Sequence, residues 1–434
     1  MALQHKRKSL QALIDDALAE TPPGRVVWVA LSGGLDSSLL LTLAADAIRR
    51  HPRPLHALHV NHGLQAGADG FETHCRRLCS RLGVPLFVER VTVPLAEGLG
   101  LEGAARQARY AAFERRVAAG ETLWLAQHRD DQAETFLLAA LRGSGVRGLA
   151  GMPARRDARG VMIERPLLDN PRSLLEAHAG RLGLRWVDDP SNDDQVLDRN
   201  FLRGSVLPLL QSRWVHAGEA LARAARQAGE ADDLLDELAA LDLQRLGDDP
   251  GQLPVTALTT LSSPRQRLLI RHACRCLALP TPPESRLAAL MAQLSARRDA
   301  RVRIDWPGGE ARIWRERLYL RPPGGPPPEG WRIDWDGLAP LETPLGRWGL
   351  SLQRGEGGPV PLRLTLRQGG ERLRLAGRGS RDLKRLLQEA DLPPWERERL
   401  LVAWHGEAVV AVLLPTQGRW LVVAEGWEAG AGLE

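Results

Sequence analysis

Short apolar runs alternate with amphipathic stretches over about the first 190 residues, and this alternation constrains the fold more than any other feature. It predicts four strands, each followed by a helix: strands at 25–31, 54–60, 85–91 and 122–127, and helices at 37–50, 67–82, 101–119 and 130–141. Strict alternation of strand and helix is typical of an α/β fold whose parallel sheet is covered by helices on both faces. Ligands bind such sheets beyond the carboxyl ends of the strands, and three of the four predicted strands end in polar residues.

The rest of the chain has a different texture. Residues 209–298 are rich in Ala, Leu and charged side chains at helical spacing, which predicts a mostly helical part. A Pro/Gly loop at 322–329 separates it from strand-like runs at 362–366 and 408–414 and from a predicted helix at 380–390. We therefore predict three domains: an α/β catalytic domain at 1–208, a mostly helical domain at 209–325 and a small α+β domain at 326–434.

Length and composition fit a multidomain cytoplasmic protein. The 434 residues exceed the usual size of a single core, and no stretch approaches ~18 uninterrupted apolar residues. The basic start at 1–10 has no apolar core behind it, so we expect no secretory signal, and four cysteines are too few for a disulfide framework. The net charge of +5 has the right sign for a polyanionic partner. A GC-rich genome would also give an arginine-rich chain, so charge alone identifies no ligand.

The strongest chemical signal is the string Ser32-Gly33-Gly34-Leu35-Asp36-Ser37, which lies between the first strand and its helix. Two glycines let the backbone approach an anion, and the helix start supplies free N–H groups and the positive end of a dipole. The carboxylate of Asp36 suits a bound Mg²⁺. A tight turn capped by Ser and Asp would also explain these residues. The kinase-type pattern GxxxxGK does not occur, which disfavours transfer of a γ-phosphate.

A second glycine-rich string, at 143–148, satisfies GxGxxG but follows a predicted helix. A dinucleotide site of that kind requires a preceding strand, so we reject this interpretation and expect a glycine-rich loop beside the active site.

Two carboxylates, Asp131 and Glu134, lie three residues apart at the start of the fourth predicted helix and therefore share one face. Such a pair can bind an ammonium group or Mg²⁺. Helix capping by Asp130 and Asp131 is the alternative explanation.

Further polar residues follow the second strand and lie on the third helix. Asn61 and His62 are expected to line the phosphate site, and Arg106 and Arg109 could each contact a phosphate bidentately. A solvated helix face explains the two arginines equally well on spacing alone. His56, His59 and His62 could form a metal site only if the strand ended before His62, because successive strand residues point to opposite faces. Cys75 and Cys79 are interpreted as half-buried thiols, since no second ligand pair follows at a structural-zinc spacing.

Eight motifs in a fixed order resemble the tRNA(Ile)-lysidine synthetase family in its three-domain bacterial form, within the PP-loop ATP-pyrophosphatase superfamily. They are SGGLDSS (32–38), HVNHGL (59–64), EGAARQARY (102–110), AQHRDDQAET (126–135), LRGSGVRGLAGM (141–152), RPLL (165–168), DDPSN (188–192) and RNFLR (199–203). The resemblance is strong over roughly the first 210 residues and extends to 367–400. The family string around 126–135 usually begins with two histidines, and here Gln127 stands in the first position while His128 is kept.

The resemblance implies a reaction and its participants. ATP adenylates the wobble cytidine (position 34) of tRNA(Ile) with a CAU anticodon and releases pyrophosphate; the ε-amine of free L-lysine then displaces AMP from C2 and gives lysidine. ATP and Mg²⁺ are the implied cofactors, and the longer family members suggest a homodimer. The implied site residues are Asp36, His128, Asp131 and Glu134 for catalysis, Asp131 and Glu134 for lysine, Asp36 for Mg²⁺, and Ser32, Gly33, Gly34, Leu35, Asp36, Ser37, Asn61, His62 and Arg106 for ATP.

Basic residues in two places predict a tRNA-binding surface. Arg199 and Arg203 lie one helical turn apart and could grip the tRNA backbone. A C-terminal cluster adds eight cations within 23 residues, interrupted only by two acids, a density that favours phosphate contacts. Aromatic side chains are scarce nearby, Trp395 being the nearest, so the cluster is expected to position the tRNA and not to read its bases. Its members are Arg363, Arg367, Arg372, Arg374, Arg378, Arg381, Lys384 and Arg385, of which the last six are our tRNA-binding candidates.

Two other functions fit these residues less well. A PP-loop tRNA thiolase would need paired cysteines, usually CxxC, and the spacings of Cys75/Cys79 and Cys274/Cys276 differ from that pattern. A noncatalytic tRNA-binding protein would not need the intact SGGLDSS and DDQAE strings.

Overall fold

The computed structural model describes residues 8–63, 68–93, 100–189, 194–295, 302–325, 328, 330–355 and 360–431. The chain forms two compact units, Met1–Leu238 and Ala239–Glu434. The three-domain division remains a prediction, because the helix at Ala217–Arg245 continues across the limit between the two units. Among the described residues, no helix combines the length and apolar character that a membrane span requires.

The first unit is built on one sheet, whose described strands are β1 (Val27–Ala30), β2 (Leu55–Asn61), β3 (Leu86–Arg90), β4 (Thr122–Trp124), β5 (Arg155–Ala158) and β6 (Val161–Glu164). Their order is β3-β2-β1-β4-β6-β5, and all neighbouring pairs are parallel except β5 with β6. The chain moves outward from β1 to β3 and returns to the other side of β1 at β4. The gap beyond the ends of β1 and β4 is therefore the switch point at which such sheets bind ligands. The predicted parallel α/β fold is confirmed.

Helices connect and cover these strands. They are α1 (Leu10–Glu20), α2 (Leu35–Ala47), α3 (Ala68–Leu82), α4 (Gly100–Arg116), α5 (Arg129–Leu141), α6 (Val146–Leu149), α7 (Arg172–Arg181), α8 (Asp198–Phe201), α9 (Leu207–Arg213) and α10 (Ala217–Arg245). A short π-helical segment, Leu202–Val206, joins α8 to α9. Helix α2 begins two residues before the predicted Ser37, because Gly34 is its N-cap.

Both faces of this sheet are buried. Val27 and Val29 of β1 face a cluster with α1 and α2, whereas Trp28 between them faces Phe113 and Val117 near the end of α4. Each such side chain removed from water contributes about 1.5–3 kcal/mol. The β5–β6 hairpin was not predicted, because the edge strand β5 is largely exposed and carries no apolar run, and β6 is only four residues long.

The second unit begins with a small helical and antiparallel part. Its described elements are β7 (Gln252–Pro254), α11 (Val255–Leu258), α12 (Ser263–Cys276), α13 (Glu284–Gln293), β8 (Val302–Trp306), β9 (Gly309–Trp314) and β10 (Arg317–Arg321). The strands form a sheet of order β7-β10-β9-β8, in the region from which we expected mostly helix. Glu310, fully buried in β9, is 3.2 Å from Arg303, 3.0 Å from Arg312 and 3.3 Å from Arg321.

The C-terminal part of this unit is rich in strands, as predicted. The described elements are β11 (Arg332–Trp335), β12 (Leu341–Thr343), β13 (Gly346–Trp348), β14 (Leu350–Gln353), β15 (Leu362–Leu366), β16 (Arg372–Leu375), β17 (Gly379–Asp382), α14 (Leu383–Glu389), α15 (Pro394–Arg397), β18 (Leu401–His405), β19 (Ala408–Leu414), β20 (Arg419–Val423) and β21 (Glu428–Ala431). The main sheet has the order β11-β15-β18-β19-β16-β17, with β20 also paired to β19. Helix α14 starts at Leu383 and not at the predicted Ser380, because Asp382 caps it by accepting the Lys384 N–H.

Candidate active site

The loop between β1 and α2 leaves the start of a long helix open. Gly33 has a φ of +92°, a conformation that glycine adopts without strain, and a Cβ there would lie 3.2 Å from Cys75 Sγ. Gly34 caps α2 but has no side chain to accept the first helical N–H groups. The Ser37 hydroxyl lies 3.0 Å from that of Ser32 and donates to the Gly34 carbonyl. Unsatisfied N–H groups at a helix start, with hydroxyls beside them, are suited to phosphate.

Asp36 stands in the first turn of α2 with a carboxylate oxygen that lacks a partner. Its Oδ1 is buried and forms no hydrogen bond. Burial raises the pKa of Asp36, and the nearby His128 opposes this rise. A buried oxygen without a partner in a carboxylate beside a phosphate loop fits a divalent cation, because Mg²⁺ prefers oxygen ligands.

His128 comes from the neighbouring strand-to-helix connection and reaches the same place. β4 ends at Trp124, earlier than the predicted 127, and the chain then turns so that His128 becomes the N-cap of α5. Its Nδ1 accepts the Asp131 N–H, and Asp131 Oδ2 accepts the His128 N–H at 3.0 Å, so the two form a capping box. When neutral, this ring carries its proton on Nε2, which lies 3.7 Å from Asp36 Oδ2 and 3.4 Å from Asp131 Oδ2.

Asp131 and Glu134 share one face of α5, as predicted, and both bind Arg203. Arg203 Nε donates to Glu134 Oε1 at 2.7 Å, and Nη2 donates to Glu134 Oε2 at 3.1 Å and to Asp131 Oδ1 at 2.9 Å. Capping explains one oxygen of Asp131 only. Glu134 has no capping role and is fully buried. Burial raises the pKa of Glu134, and the bond from Arg203 opposes this rise. The carboxylate pair therefore forms a site for a cation, which the Arg203 guanidinium fills.

Arg203 was expected to contact tRNA, and its contacts with Asp131 and Glu134 were not predicted. It lies in the π-helical segment after α8, an irregularity that is frequent at functional sites. Arg199, one turn earlier, donates to the Thr135 hydroxyl at 3.3 Å, so both arginines lie against α5. Neither contact tests tRNA binding, which stays a prediction for both.

Two contributions to this site were not predicted. Asp130 Oδ2 accepts the N–H of Arg172 at 2.7 Å and lies 3.6 Å from His128 Nδ1, so Asp130 ties the start of α7 to the site. Gln127 Oε1 accepts from Arg165 Nε at 2.7 Å, and Arg165 Nη1 donates to a backbone carbonyl. Burial lowers the pKa of Arg165. Arg165 is the first residue of the RPLL motif, so the motif could have indicated a role for it in the site.

The other predicted ATP-site residues follow β2 or lie on α4. Asn61 is buried and held by Glu72 and by the Gly63 N–H, so its visible role is to fix the turn after β2. His62 Nδ1 is buried without a partner, and burial lowers the pKa of His62. Arg106 is exposed, with its guanidinium carbon 4.9 Å from the Tyr110 ring centroid. Their roles in ATP binding stay predictions.

Cys75, Cys79 and His59 belong to the core, so the two thiols are fully buried and not half-buried as predicted. His59 is buried with Nδ1 2.8 Å from the Leu31 carbonyl oxygen, on the face of β2 opposite His56. Burial raises the pKa of the Cys75 thiol to about 12 and that of Cys79 to about 11. Within the described residues, three or more His, Cys, Asp or Glu side chains nowhere gather in a metal-binding group.

The six basic side chains of the second unit that are predicted to bind tRNA lie on the β16–β17 hairpin and on α14. Arg372 and Arg374 alternate with the buried Leu373 along β16, so both point away from the core. Arg374 is paired with Glu425 at 3.0 Å. The six tRNA-binding candidates are all exposed: Arg372, Arg374, Arg378, Arg381, Lys384 and Arg385.

A helix start without a side-chain cap, at the switch point of a parallel sheet and with a carboxylate in its first turn, is suited to the phosphates of a nucleotide and is typical of a PP-loop ATP-binding protein. Residues 3–210 match the family model described as a PP-loop domain. Residues 253–319 and 362–424 match the models described as the TilS substrate binding domain and the TilS substrate C-terminal domain.

Curated relatives narrow this class. The chain is 46% identical to the tRNA(Ile)-lysidine synthase of Xanthomonas axonopodis pv. citri, with 93% of each chain covered. It is 45% identical to the protein of that name from Alkalilimnicola ehrlichii, with 91% of each covered. The Pseudomonas syringae pv. tomato protein of that name is 44% identical, with 93% of this chain and 92% of the relative covered. The chain belongs to the tRNA(Ile)-lysidine synthase family.

Among solved structures, a U34-tRNA thiolase from Methanococcus maripaludis is similar at 16% identity and a TM-score of 0.41. That likeness covers 50% of this chain and 77% of the thiolase.

Proposed function

We propose that this chain ligates free L-lysine to C2 of the wobble cytidine (position 34) of tRNA(Ile) with a CAU anticodon. ATP adenylates the C2 oxygen of the cytidine and pyrophosphate leaves; the lysine ε-amine then forms the bond to C2, loses a proton, and AMP leaves with that oxygen. The observation that carries the proposal is that His128 Nε2 lies 3.7 Å from Asp36, beside the phosphate loop, and 3.4 Å from Asp131, which binds Arg203 together with the buried Glu134. Family membership supports it.

ATP would bind at the start of α2. The open N–H groups after Gly34 and the hydroxyls of Ser32 and Ser37 would hold the phosphates. Asp36 would hold Mg²⁺, which when bound neutralises charge on phosphate oxygens. The unpartnered Oδ1 of Asp36 supports this assignment, because a cation would offset the cost of its burial.

Lysine would bind through its ammonium group at Asp131 and Glu134. The contacts of Arg203 support this, because they show that the two carboxylates together accept three N–H donors from one cation. An ammonium group also offers three donors. We infer that lysine takes over part of the Arg203 contacts when it binds.

The tRNA would lie along exposed arginines. The basic hairpin and helix with Arg372, Arg374, Arg378, Arg381, Lys384 and Arg385 would position its backbone, since such contacts give affinity without reading sequence. We propose a cytoplasmic enzyme, on the nature of its substrates, and a homodimer, on the resemblance to longer family members alone.

The test combines the full chain with tRNA(Ile) bearing CAU, ATP, Mg²⁺ and radiolabelled lysine. We expect lysine in the tRNA and one AMP released per lysine. Asp36→Ala should reduce the rate by about hundredfold or more, the loss typical of one preorganised electrostatic contact. Asp46→Ala is the matched control, since Asp46 lies on the same helix and pairs with Arg50 at its surface.

Other outcomes separate the alternatives. Wild-type protein that incorporates no more lysine than Asp36→Ala refutes the proposal. Sulfur incorporation would identify a thiolase instead, an outcome that the buried, protonated thiols of Cys75, Cys79 and Cys274 oppose. Binding of tRNA without AMP release would identify a noncatalytic protein. Glu134→Gln should raise the KM for lysine by about 10- to 150-fold, as loss of a hydrogen bond to a charged group would, and leave the KM for ATP unchanged.

A further inference from the structure

The connection between α9 and α10 exposes apolar surface without an evident structural purpose. All six residues from 211 to 216 are exposed. Trp214 is 60% exposed and Val215 78%, and Leu209 on the preceding turn is 70% exposed. Among the described tryptophans, Trp214 alone is an exposed large hydrophobic residue. Contiguous exposed apolar side chains usually mark an interaction site.

This connection lies beside the active site. The Gly218 backbone runs so close to Asp130 that a Cβ there would be 3.8 Å from Asp130 Oδ1, and Asp130 in turn lies 3.6 Å from His128. Trp214 lies four residues before Gly218, and its backbone is fixed by two hydrogen bonds. Its N–H donates to the Leu210 carbonyl, and its carbonyl accepts the Ala217 N–H. The backbone that carries the exposed indole is therefore fixed close to the site and does not belong to a free chain end.

The neighbouring cation indicates what kind of partner fits. The Arg213 guanidinium carbon is 6.0 Å from the Trp214 ring centroid, and both side chains are exposed. An aromatic face beside an arginine is the pairing that binds unpaired nucleotides, since the ring stacks on a base and the guanidinium attracts a phosphate. A purely apolar protein partner would be disfavoured by the charge of Arg213 beside Trp214.

We propose that Trp214 stacks on a base of the tRNA anticodon loop next to the target cytidine, with Arg213 on the adjoining phosphate. This inference rests on the proposed function. An enzyme that attacks C2 must draw the cytidine out of its stack, which leaves the neighbouring base without one partner. The exposed indole on this connection supplies the missing face, and stacking of this kind accepts any base.

The experiment compares Trp214→Ala, Trp214→Phe and the matched control Leu234→Ala, which removes an apolar side chain 65% exposed on α10. Lysine incorporation gives KM values for tRNA, ATP and lysine, and filter binding gives the Kd for tRNA. We expect Trp214→Ala to raise the KM and Kd for tRNA by about 5- to 150-fold, the effect of one stacked base. Trp214→Phe should restore most of this affinity, and the KM values for ATP and lysine should not change.

Three results would overturn the inference: an unchanged Kd for tRNA in Trp214→Ala, equal losses in the Ala and Phe variants, or a loss that follows dissociation of a dimer in sedimentation. The last would show that a second copy covers Trp214. Thermal unfolding should give wild-type midpoints, since the side chain is exposed. If wild-type protein incorporates no lysine, the proposed function fails by itself, whereas the Kd for tRNA still tests Trp214.

Discussion

Replacing Arg203 with Ala tests whether the acidic face of α5 is a cation site or merely a helix start. The change removes the three donors that hold Glu134 and Asp131 and leaves the fully buried Glu134 carboxylate without its cation. Loss of one partner of a buried pair costs about 3–5 kcal/mol. Because a third of the Arg203 side chain is exposed, 34%, solvent screens part of its charge and we expect about 2–3 kcal/mol.

The loss should depend on pH in a defined direction. Burial already raises the pKa of Glu134 above its ordinary 4.5, and Arg203 opposes that rise. Without Arg203 the pKa rises further. An acid whose pKa is higher in the folded state stabilises the fold below its unfolded pKa and loses that contribution as pH rises through the folded value. The free-energy deficit of Arg203→Ala relative to wild type should therefore grow as pH rises above 4.5, the ordinary pKa of a glutamate.

Thermal unfolding at several pH values is the assay. A deficit of about 2–3 kcal/mol corresponds to a fall in Tm of roughly 4–12 °C for a unit of this size. The matched control is Arg142→Ala, which breaks a surface contact with Asp198 at 3.9 Å and should cost less than about 1 kcal/mol. Adding Glu134→Gln to Arg203→Ala should recover stability at pH 8. Equal losses in the two arginine variants, a loss independent of pH, or no recovery would refute the buried-pair reasoning.

Three further changes test single contacts. Gly33→Ala forces a φ of +92° on a residue whose Cβ would lie 3.2 Å from Cys75 Sγ. The free energy of unfolding should fall by about 1–2 kcal/mol and ATP binding should weaken. A wild-type Kd for ATP would contradict this prediction. Gln127→Leu removes the acceptor of the buried Arg165 and should cost about 1.5–3 kcal/mol in urea unfolding, whereas an unchanged midpoint would show that other acceptors suffice. Glu310→Gln leaves three arginines without their buried carboxylate and should destabilise the protein by several kcal/mol in the same assay. A loss of stability below about 1 kcal/mol would show that these buried ion pairs do not stabilise the fold.

The parts of the site that the sequence predicted are local. A buried run of valines followed by Ser32–Ser37 predicts a strand, a phosphate loop and a helix, because burial, glycine conformation and free N–H groups depend on adjacent residues. The spacing of Asp131 and Glu134 likewise placed them on one face without knowledge of the fold. The parallel sheet followed from the alternation of elements, which is also a local pattern.

The parts that were missed depend on contacts across the chain. Arg203 meets Asp131 and Glu134 from 72 and 69 residues away, and the π-helical turn that directs it has no simple sequence signature. The sheet of β7 to β10 escaped prediction for a related reason. The buried Glu310 and the partly buried Arg312 occupy positions in β9 where an alternating pattern would require apolar residues.

Gln127, where the family string usually has a histidine, is explained by its contact with Arg165. The structure requires a hydrogen-bond acceptor there, because the buried Arg165 guanidinium must be satisfied, and Gln127 Oε1 accepts at 2.7 Å. A neutral imidazole would offer one accepting nitrogen, whereas the amide oxygen accepts at every pH. The kept histidine, His128, is the one that faces Asp36 and Asp131. Glutamine in place of histidine at position 127 therefore changes a residue that supports the site through Arg165. It removes a titrating group from beside Arg165 and leaves His128 and Asp131 unaltered.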